Sequence, residues 1–335
     1  MRSIVLRIVL ASLVLLAVWI VYANVVRSII ERASRDMLAP SDGQWIETAD
    51  GRMFVQRFGT GTGPVVLLVH GTGAWSGTWF GTPQALVDRG FRVVALDLPP
   101  FGFSAARAPA DYSRGAQARR IAAVVDALGA GPVSLVGHSF GAGPALEAAM
   151  TLPDRYRQLV MVDPALGLGS GGEPPACESG GMASVLLAQR PVRTALLSTV
   201  VTPIWAGQFW LSRFVSRKEV VNDESILPYQ RPFGRRDFTA DLGDWAEAFA
   251  NGNCEPAASL SVDSIRQWAA TGPRVELIWG ETDAITPIAQ AGALRAWIPQ
   301  ARLKTVPAVG HIPHLEDPAT FNAALIETLQ AAAAN

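Results

Sequence analysis

Three residues of this chain have types and spacing that could do chemistry together: Ser139, Asp283 and His311, each just beyond an apolar run. Ser139 lies in Gly137-His138-Ser139-Phe140-Gly141, between the run Val133–Val136 and the helix-like stretch Ala142–Met150. A serine on a strand-to-helix turn, with glycine two residues before and two after, is a nucleophile elbow. The turn strains the serine backbone, and neighbouring side chains would clash, so glycines surround it. The hydroxyl then stands free beside a helix N-terminus whose N–H groups face a developing negative charge. Asp283 follows the run Arg274–Trp279, and His311 follows Arg302–Val306 and Gly310. Serine is a poor nucleophile until a base takes its proton. His311 is placed to be that base, and later the acid for a leaving group. Asp283 would orient the imidazole and stabilise its charged form. Upstream, Val65–Val69 runs into His70-Gly71-Thr72-Gly73. The backbone N–H groups of Thr72 and Phe140 are the candidate donors to an oxyanion.

Each residue also has an ordinary structural reading. A serine between glycines is usually a turn residue, and an aspartate at a strand end often caps a helix, here from Pro287 onward. The joint placement at three strand ends favours the chemical reading. Glu281 is the rival acid and reads as solvated; His314 is the rival base. His70 reads as structural and His138 as the variable residue of the elbow. These are all four histidines, so none is spare for a metal, and no metal or cofactor is expected. Asp97 reads as a turn stabiliser.

The order Ser139, Asp283, His311, the His70–Gly73 loop and the turn Asp97-Leu98-Pro99-Pro100-Phe101-Gly102 together resemble the α/β-hydrolase family, from about residue 44 to the C-terminus outside a central insertion. The family usually has glycine where Pro100 stands. The resemblance implies a doubly wound, mostly parallel, eight-stranded sheet with a helical cap, and a serine esterase. Relatives with an aspartate nucleophile, the haloalkane dehalogenases and epoxide hydrolases, are disfavoured by Ser139, and dienelactone-type cysteine enzymes likewise. The same triad also serves thioesters, C–C bonds and perhydrolysis. A binding or accessory protein on a hydrolase fold is the reading from a different class.

The elements that must position these residues are legible as runs. Trp45–Thr48 and Met53–Phe58 flank Asp50-Gly51, a hairpin signal. Val65–Val69, Arg92–Leu96, Val133–Val136, Leu159–Val162, Val275–Trp279 and Arg302–Val306 are apolar runs of the parallel-sheet kind. Helical patterns over Ser76–Asp88, Ser113–Leu128, Phe140–Met150, Ile288–Trp297 and Pro318–Ala331 alternate with them, which predicts a doubly wound α/β sheet. Ligands bind such sheets at the carboxyl ends of the strands, where every motif above falls. The core is expected over 36–163 and 258–335, with a helical cap over 164–257. Within the cap, helices are expected at Met182–Gln189, Val192–Thr199, Pro203–Phe214 and Phe238–Ala250. Its aromatic residues, with those after the oxyanion loop, suggest a pocket for an uncharged, moderately apolar small-molecule ester. Gly73, Trp75, Trp205 and Trp210 are the candidate pocket residues.

Hydrophobic residues make up 49% of the 335 and charged ones 17%, so bulk disorder is excluded; a net charge of −1 gives no reason for a nucleic-acid partner. Part of the apolar excess is N-terminal. Ile8–Val26 is uncharged and, as a helix, about 28 Å long, close to the hydrocarbon thickness of a bilayer. Residues 1–35 are expected to be a membrane anchor with the rest exported, or a signal segment cleaved near Val21-Tyr22-Ala23. Arg2 and Arg7 before it and Arg27, Arg32 and Arg35 after it leave the orientation open. Glu31–Asp42 reads as a polar linker, so removal of residues 1 to about 35 should leave the enzyme soluble and active. Cys177 and Cys254, near opposite ends of the insertion, could pair in an exported protein. The oligomeric state is left open.

Overall fold

The computed structural model describes residues 2–170, 172–173, 185, 188–250 and 256–333. Its centre is one twisted sheet, because the apolar runs cannot be solvated and pack side by side instead. The strands are β1 (Gly43–Thr48), β2 (Gly51–Phe58), β3 (Val65–Val69), β4 (Arg92–Leu96), β5 (Ala105–Ala106), β6 (Val133–His138), β7 (Tyr156–Val162), β8 (Arg274–Gly280) and β9 (Arg302–Val306). They order β1-β2-β4-β3-β6-β7-β8-β9, with β1 and β2 antiparallel and β4 through β9 in that path parallel. The eight expected strands form this path. A two-residue ninth, β5, pairs with β2 and was not foreseen, being too short to carry a pattern.

β3 and β6 are buried at every position, which is why they read as continuous apolar runs rather than alternating ones. Parallel strands need crossovers, supplied by α3 (Thr82–Val87), α4 (Arg114–Leu128), α5 (Ala142–Thr151) and, later, helices at Gln290–Trp297 and Pro318–Ala333. One apolar layer lies between α4, α5 and the sheet, with Leu67, Leu135, Leu159 and Leu277 at its centre. The other joins Leu68, Val136, Val160 and Ile278 to Phe321 and Leu325 of the last helix. The stretch Ser76–Asp88 is not one helix: a 3₁₀ turn at Ser76–Trp79 precedes α3, broken at Phe80, whose φ is 47°.

Between β7 and β8 the chain leaves the sheet. Helices Arg190–Val200, Ala206–Phe214, Asp223–Gln230 and Phe238–Ala250 stand in this insertion, and Val262–Ala269 leads back. The Asp223–Gln230 helix was missed because Pro228 lies inside it; a capping box at Asn222 and Ser225 starts it nonetheless. Cys177, Cys254 and most of the expected helix Met182–Gln189 fall outside the described residues.

The N-terminal helix α1 (Arg2–Ile30) differs from the expected free anchor. Ile4 to Val18 touch nothing that buries them, but from Trp19 the helix lies against the insertion. Trp19 Nε1 donates to Thr199 Oγ1 at 3.2 Å, and Asn24 Nδ2 donates to the Pro191 carbonyl at 3.3 Å. Nor is Glu31–Asp42 a linker. Glu31 is buried and accepts from the Thr239 N–H (3.1 Å) and from the Thr239 hydroxyl. Ala33 pairs with Arg235 in a parallel bridge, and Arg35 reaches Asp241 at 2.8 Å. The segment reads as polar because its charges are partners of buried groups in the insertion, which a single sequence does not reveal.

Candidate active site

Ser139 directly follows β6 with φ 51°, a left-handed conformation that β-carbons resist. Strain of this kind persists only where the surroundings enforce it, and glycines make that possible. A Cβ on Gly141 would stand 2.4 Å from the His70 carbonyl oxygen, and one on Gly71 would stand 2.9 Å from Ser139 Cβ. The His70–Gly73 loop can therefore press against the elbow only with glycine at both places.

The three residues singled out from the sequence come together. Ser139 Oγ is 2.8 Å from His311 Nε2, and His311 Nδ1 is 2.8 Å from Asp283 Oδ2. All three are buried. With a carboxylate facing Nδ1, that nitrogen carries the proton and Nε2 is free to accept from the serine hydroxyl. Asp283 is held in place by the N–H groups of Ile285 (2.8 Å) and Thr286 (3.0 Å) and by the Thr286 hydroxyl (2.7 Å). Burial opposes its ionisation, but the hydrogen bond and charge of His311 and the Thr286 donors outweigh that. Its carboxyl sits below the usual range.

The rivals lie elsewhere. Glu281 is exposed and accepts from the Ala308 N–H. His314 is buried against the Trp79 ring, 4.7 Å between centroids, and burial lowers its pKa to about 3. His70 accepts the Leu98 N–H at Nε2 (2.9 Å), so its Nδ1 donates to the Gly71 carbonyl (2.8 Å); burial keeps it neutral, with a pKa of about 4. His138 donates from Nε2 to the His311 carbonyl at 2.7 Å. Asp97 accepts the N–H groups of Ser76 (2.6 Å) and Phe103 (2.7 Å), which is turn stabilisation; burial lifts its pKa to about 6.

Two carboxyls that matter here were missed. Glu316, in the short helix Pro313–Glu316, accepts the N–H groups of Gly310 (3.0 Å), Ser216 (2.7 Å), Arg217 (3.0 Å) and Ile312 (3.3 Å). It ties the histidine loop to the insertion. Asp163 directly follows β7, fully buried with φ 43°, and its Oδ1 accepts the Gly280 N–H at 2.8 Å. Burial first, and then the neighbouring Asp283 charge, push its carboxyl well above the ordinary range. Asp163 was legible only as the end of a strand. Asp163, Asp283 and His311 bring ligand-type atoms within 4.8 Å of one another, but the His311–Asp283 contact is already a hydrogen bond.

Over Ser139 lies a cavity of about 310 Å³. Thr72, Gly73, His138 and His311 form its floor; Leu197, Val201, Trp210, Phe214, Leu242 and Trp245 of the insertion are among its walls. No Lys, Arg, Asp or Glu lines it among the described residues. Of the expected pocket residues, Gly73 and Trp210 are there. Trp75 is not: it is buried beside Phe54 and Phe103, with Nε1 donating to the Pro228 carbonyl at 2.7 Å. Trp205 is not either, being 73% exposed on the far side of the insertion. An aromatic residue in a loop does not declare which face of the neighbouring helix it will join.

Residues 64–318 match the sequence model of the alpha/beta hydrolase fold. A 2-hydroxymuconate semialdehyde hydrolase of Pseudomonas putida is 32% identical over 283 residues, which cover 82% of this chain and 89% of that one. A thermophilic esterase from Thermogutta terrifontis superposes with a TM-score of 0.64 at 24% identity, covering 87% of this chain and 99% of that one. A membrane phospholipase A described as a bacterial virulence factor superposes with a TM-score of 0.63 at 23% identity, covering 99% of this chain and 97% of that one.

Proposed function

We propose a serine hydrolase activity toward uncharged, apolar carboxylic esters for this chain, which belongs to the alpha/beta hydrolase fold family. The observation that carries the reading is the unbroken line from Ser139 Oγ through His311 to Asp283, with 2.8 Å at each link. Ser139 attacks the ester carbonyl as His311 Nε2 takes its proton. The oxyanion forms against the Thr72 and Phe140 N–H groups; losing one such donor typically costs about 3 kcal/mol of transition-state stabilisation. His311 then returns the proton to the departing alcohol, leaving an acyl-serine. Water, deprotonated by the same imidazole, releases the acid. Asp283 keeps Nδ1 protonated throughout and balances the imidazolium charge.

The substrate class rests on the cavity walls. They are apolar and, among the described residues, lack a cation for a substrate carboxylate. The muconate-type relative in Pseudomonas keeps C–C bond cleavage as a second reading. Turnover of a neutral ester with no turnover of an anionic diketone acid separates the two. Fluorophosphonate should label wild-type protein at Ser139 and leave Ser139→Ala unlabelled; labelling of both would sink the assignment.

We take residues 164–257 as a cap on a core of 36–163 and 258–335, and α1 as a membrane anchor with the catalytic part exported. The uncharged run and the uncovered Ile4–Val18 support the anchor. The buried contacts of Glu31 and Ala33 attach the end of residues 1–35 to the cap. Carbonate washing of membranes should leave the chain in the pellet; its release as soluble, full-length protein would exclude an anchor.

A further inference from the structure

The anchor's free part is too short to cross a bilayer alone. From Ile8, past the Arg7 charge, to Val18 is about 16 Å of helix, against a hydrocarbon layer of about 30 Å. The remaining length must come from Trp19 to Val26, and those residues already flank the insertion. The helix Arg190–Val200 runs antiparallel to α1, with Pro191 beside Asn24 and Thr199 beside Trp19. Its far end therefore points toward the membrane. Trp205 lies there too, sharing a hollow with Trp19, Tyr22 and Ala23. Any depth that lets α1 span the hydrocarbon carries this tip into the boundary between headgroups and acyl chains.

The surface of the tip fits that place. Ile204 is 74% exposed and Trp205 73%, and Leu196, Val200 and Phe209 are exposed beside them. Large apolar side chains so placed in water mark a surface that meets something. Tryptophan is enriched at membrane–water interfaces, where its ring fits the headgroup layer. The helices Arg190–Val200 and Ala206–Phe214 and the turn between them have an inner face: Leu197, Val201, Trp210 and Leu211 wall the cavity over Ser139. Trp210 Nε1 donates to the Val200 carbonyl at 2.8 Å, tying the helices together. A single layer of helix separates the exposed apolar side from the cavity over the serine.

We propose that the tip from Leu196 to Phe209 is a bilayer-docking surface, and that the cavity takes acyl esters of membrane lipids directly from that layer. The inference deepens the readings of α1 as anchor and Ser139 as nucleophile. Lipid esters bring a long apolar acyl chain, which suits walls without charge, and reach the cavity without crossing bulk water.

The test uses the full-length chain in phosphatidylcholine vesicles. The double variant Ile204→Asn with Trp205→Asn should hydrolyse a short water-soluble nitrophenyl ester as wild type does. It should hydrolyse a bilayer-resident long-chain ester about tenfold more slowly. Vesicles brominated near the headgroup end of the acyl chains should quench wild-type fluorescence more than that of Trp205→Phe, because Trp205 lies within reach. Equal rates on the bilayer ester together with equal quenching would overturn the docking surface. Trp205 shielded from bromine, with a detergent-solubilised dimer that the double variant abolishes, would overturn it in favour of a second copy. No turnover of either ester by wild type would overturn the substrate claim with the Ser139 reading, while the quenching still decides the docking.

Discussion

The sheet and the insertion contribute to one cavity but are built on different terms. At the sheet, Leu68, Leu135 and Val136 have no exposure, and the residues over the serine sit at strand ends fixed by ladders on both sides. In the insertion, apolar side chains are shared between a cavity face and a bare face, and polar pairs do much of the fastening. Arg193 bridges Asp244 and Glu247 (2.6 Å to the latter); the fully buried Arg235 joins Asp241 (2.8 Å), the Gly102 carbonyl (3.0 Å) and the Pro100 carbonyl. Ser139, Asp283 and His311 thus follow strands held on both sides or packed in the buried core. The insertion that walls the cavity keeps several large apolar side chains exposed, so its shape is the easier to change.

The largest expected effect lies on the sheet side. Ser139→Ala and His311→Ala should each lower kcat/KM for a neutral ester by about 10⁴-fold or more, with the fold retained by circular dichroism, because the residues act as a unit. His314→Ala should leave kcat within about tenfold; a swap of the two histidine results would place the base wrongly. Next, Leu68→Ala should cost about 3 kcal/mol of stability in urea unfolding, as cavities in well-packed cores do. Leu242→Ala, at the cavity face of the helix Phe238–Ala250, should cost less stability and instead raise KM for a long-chain ester about tenfold. If Leu242→Ala destabilised as much as Leu68→Ala, the contrast between the regions would fail.

A smaller effect is a pH dependence. Asp163 has a folded-state pKa raised by burial and by Asp283. Such a group contributes stability that is fully present below its unfolded pKa of about 3.9 and is lost as pH rises above it. Asp163→Asn, which keeps the left-handed backbone accessible and a carbonyl for the Gly280 N–H, removes that titration. Its stability relative to wild type should therefore increase from pH 4 to pH 8; a flat difference would mean Asp163 is not perturbed. The smallest effect is expected from Glu281→Gln, within about twofold of wild-type kcat, since the exposed Glu281 carboxylate does not face His311.

How far this was legible follows the same division. Strands buried on both faces announce themselves as short apolar runs, so β3 and β4 matched their expected limits, and Ser139, Asp283 and His311 follow strands as the runs implied. The insertion obeys no such period. Pro228 hid a helix, and the tryptophans at 75 and 205 gave no sign of which side they would take. Asp163 and Glu316 were missed for another reason. Each works through groups distant in sequence: Gly280 is the hydrogen-bond partner of one, and Ser216 and Arg217 are among the partners of the other. No local spacing encodes such pairs. Glu31 went unread on the same ground, since Thr239 is its partner.

The way α1 divides at Trp19 has a practical side. Its first part touches nothing that buries it, and its second packs on the insertion. Cutting at residue 35 would remove the buried Glu31 carboxylate from Thr239, Ala33 from its bridge to Arg235, and the Arg35 guanidinium from Asp241. An unmatched buried polar group costs about 1–3 kcal/mol, so such a fragment should be purified in poor yield. Cutting after Val18 discards the bare half alone. On the anchored reading, a cut there would leave Trp19 to Val26 and the tip from Leu196 to Phe209 at the membrane, so the chain would rest on the bilayer surface instead of spanning it.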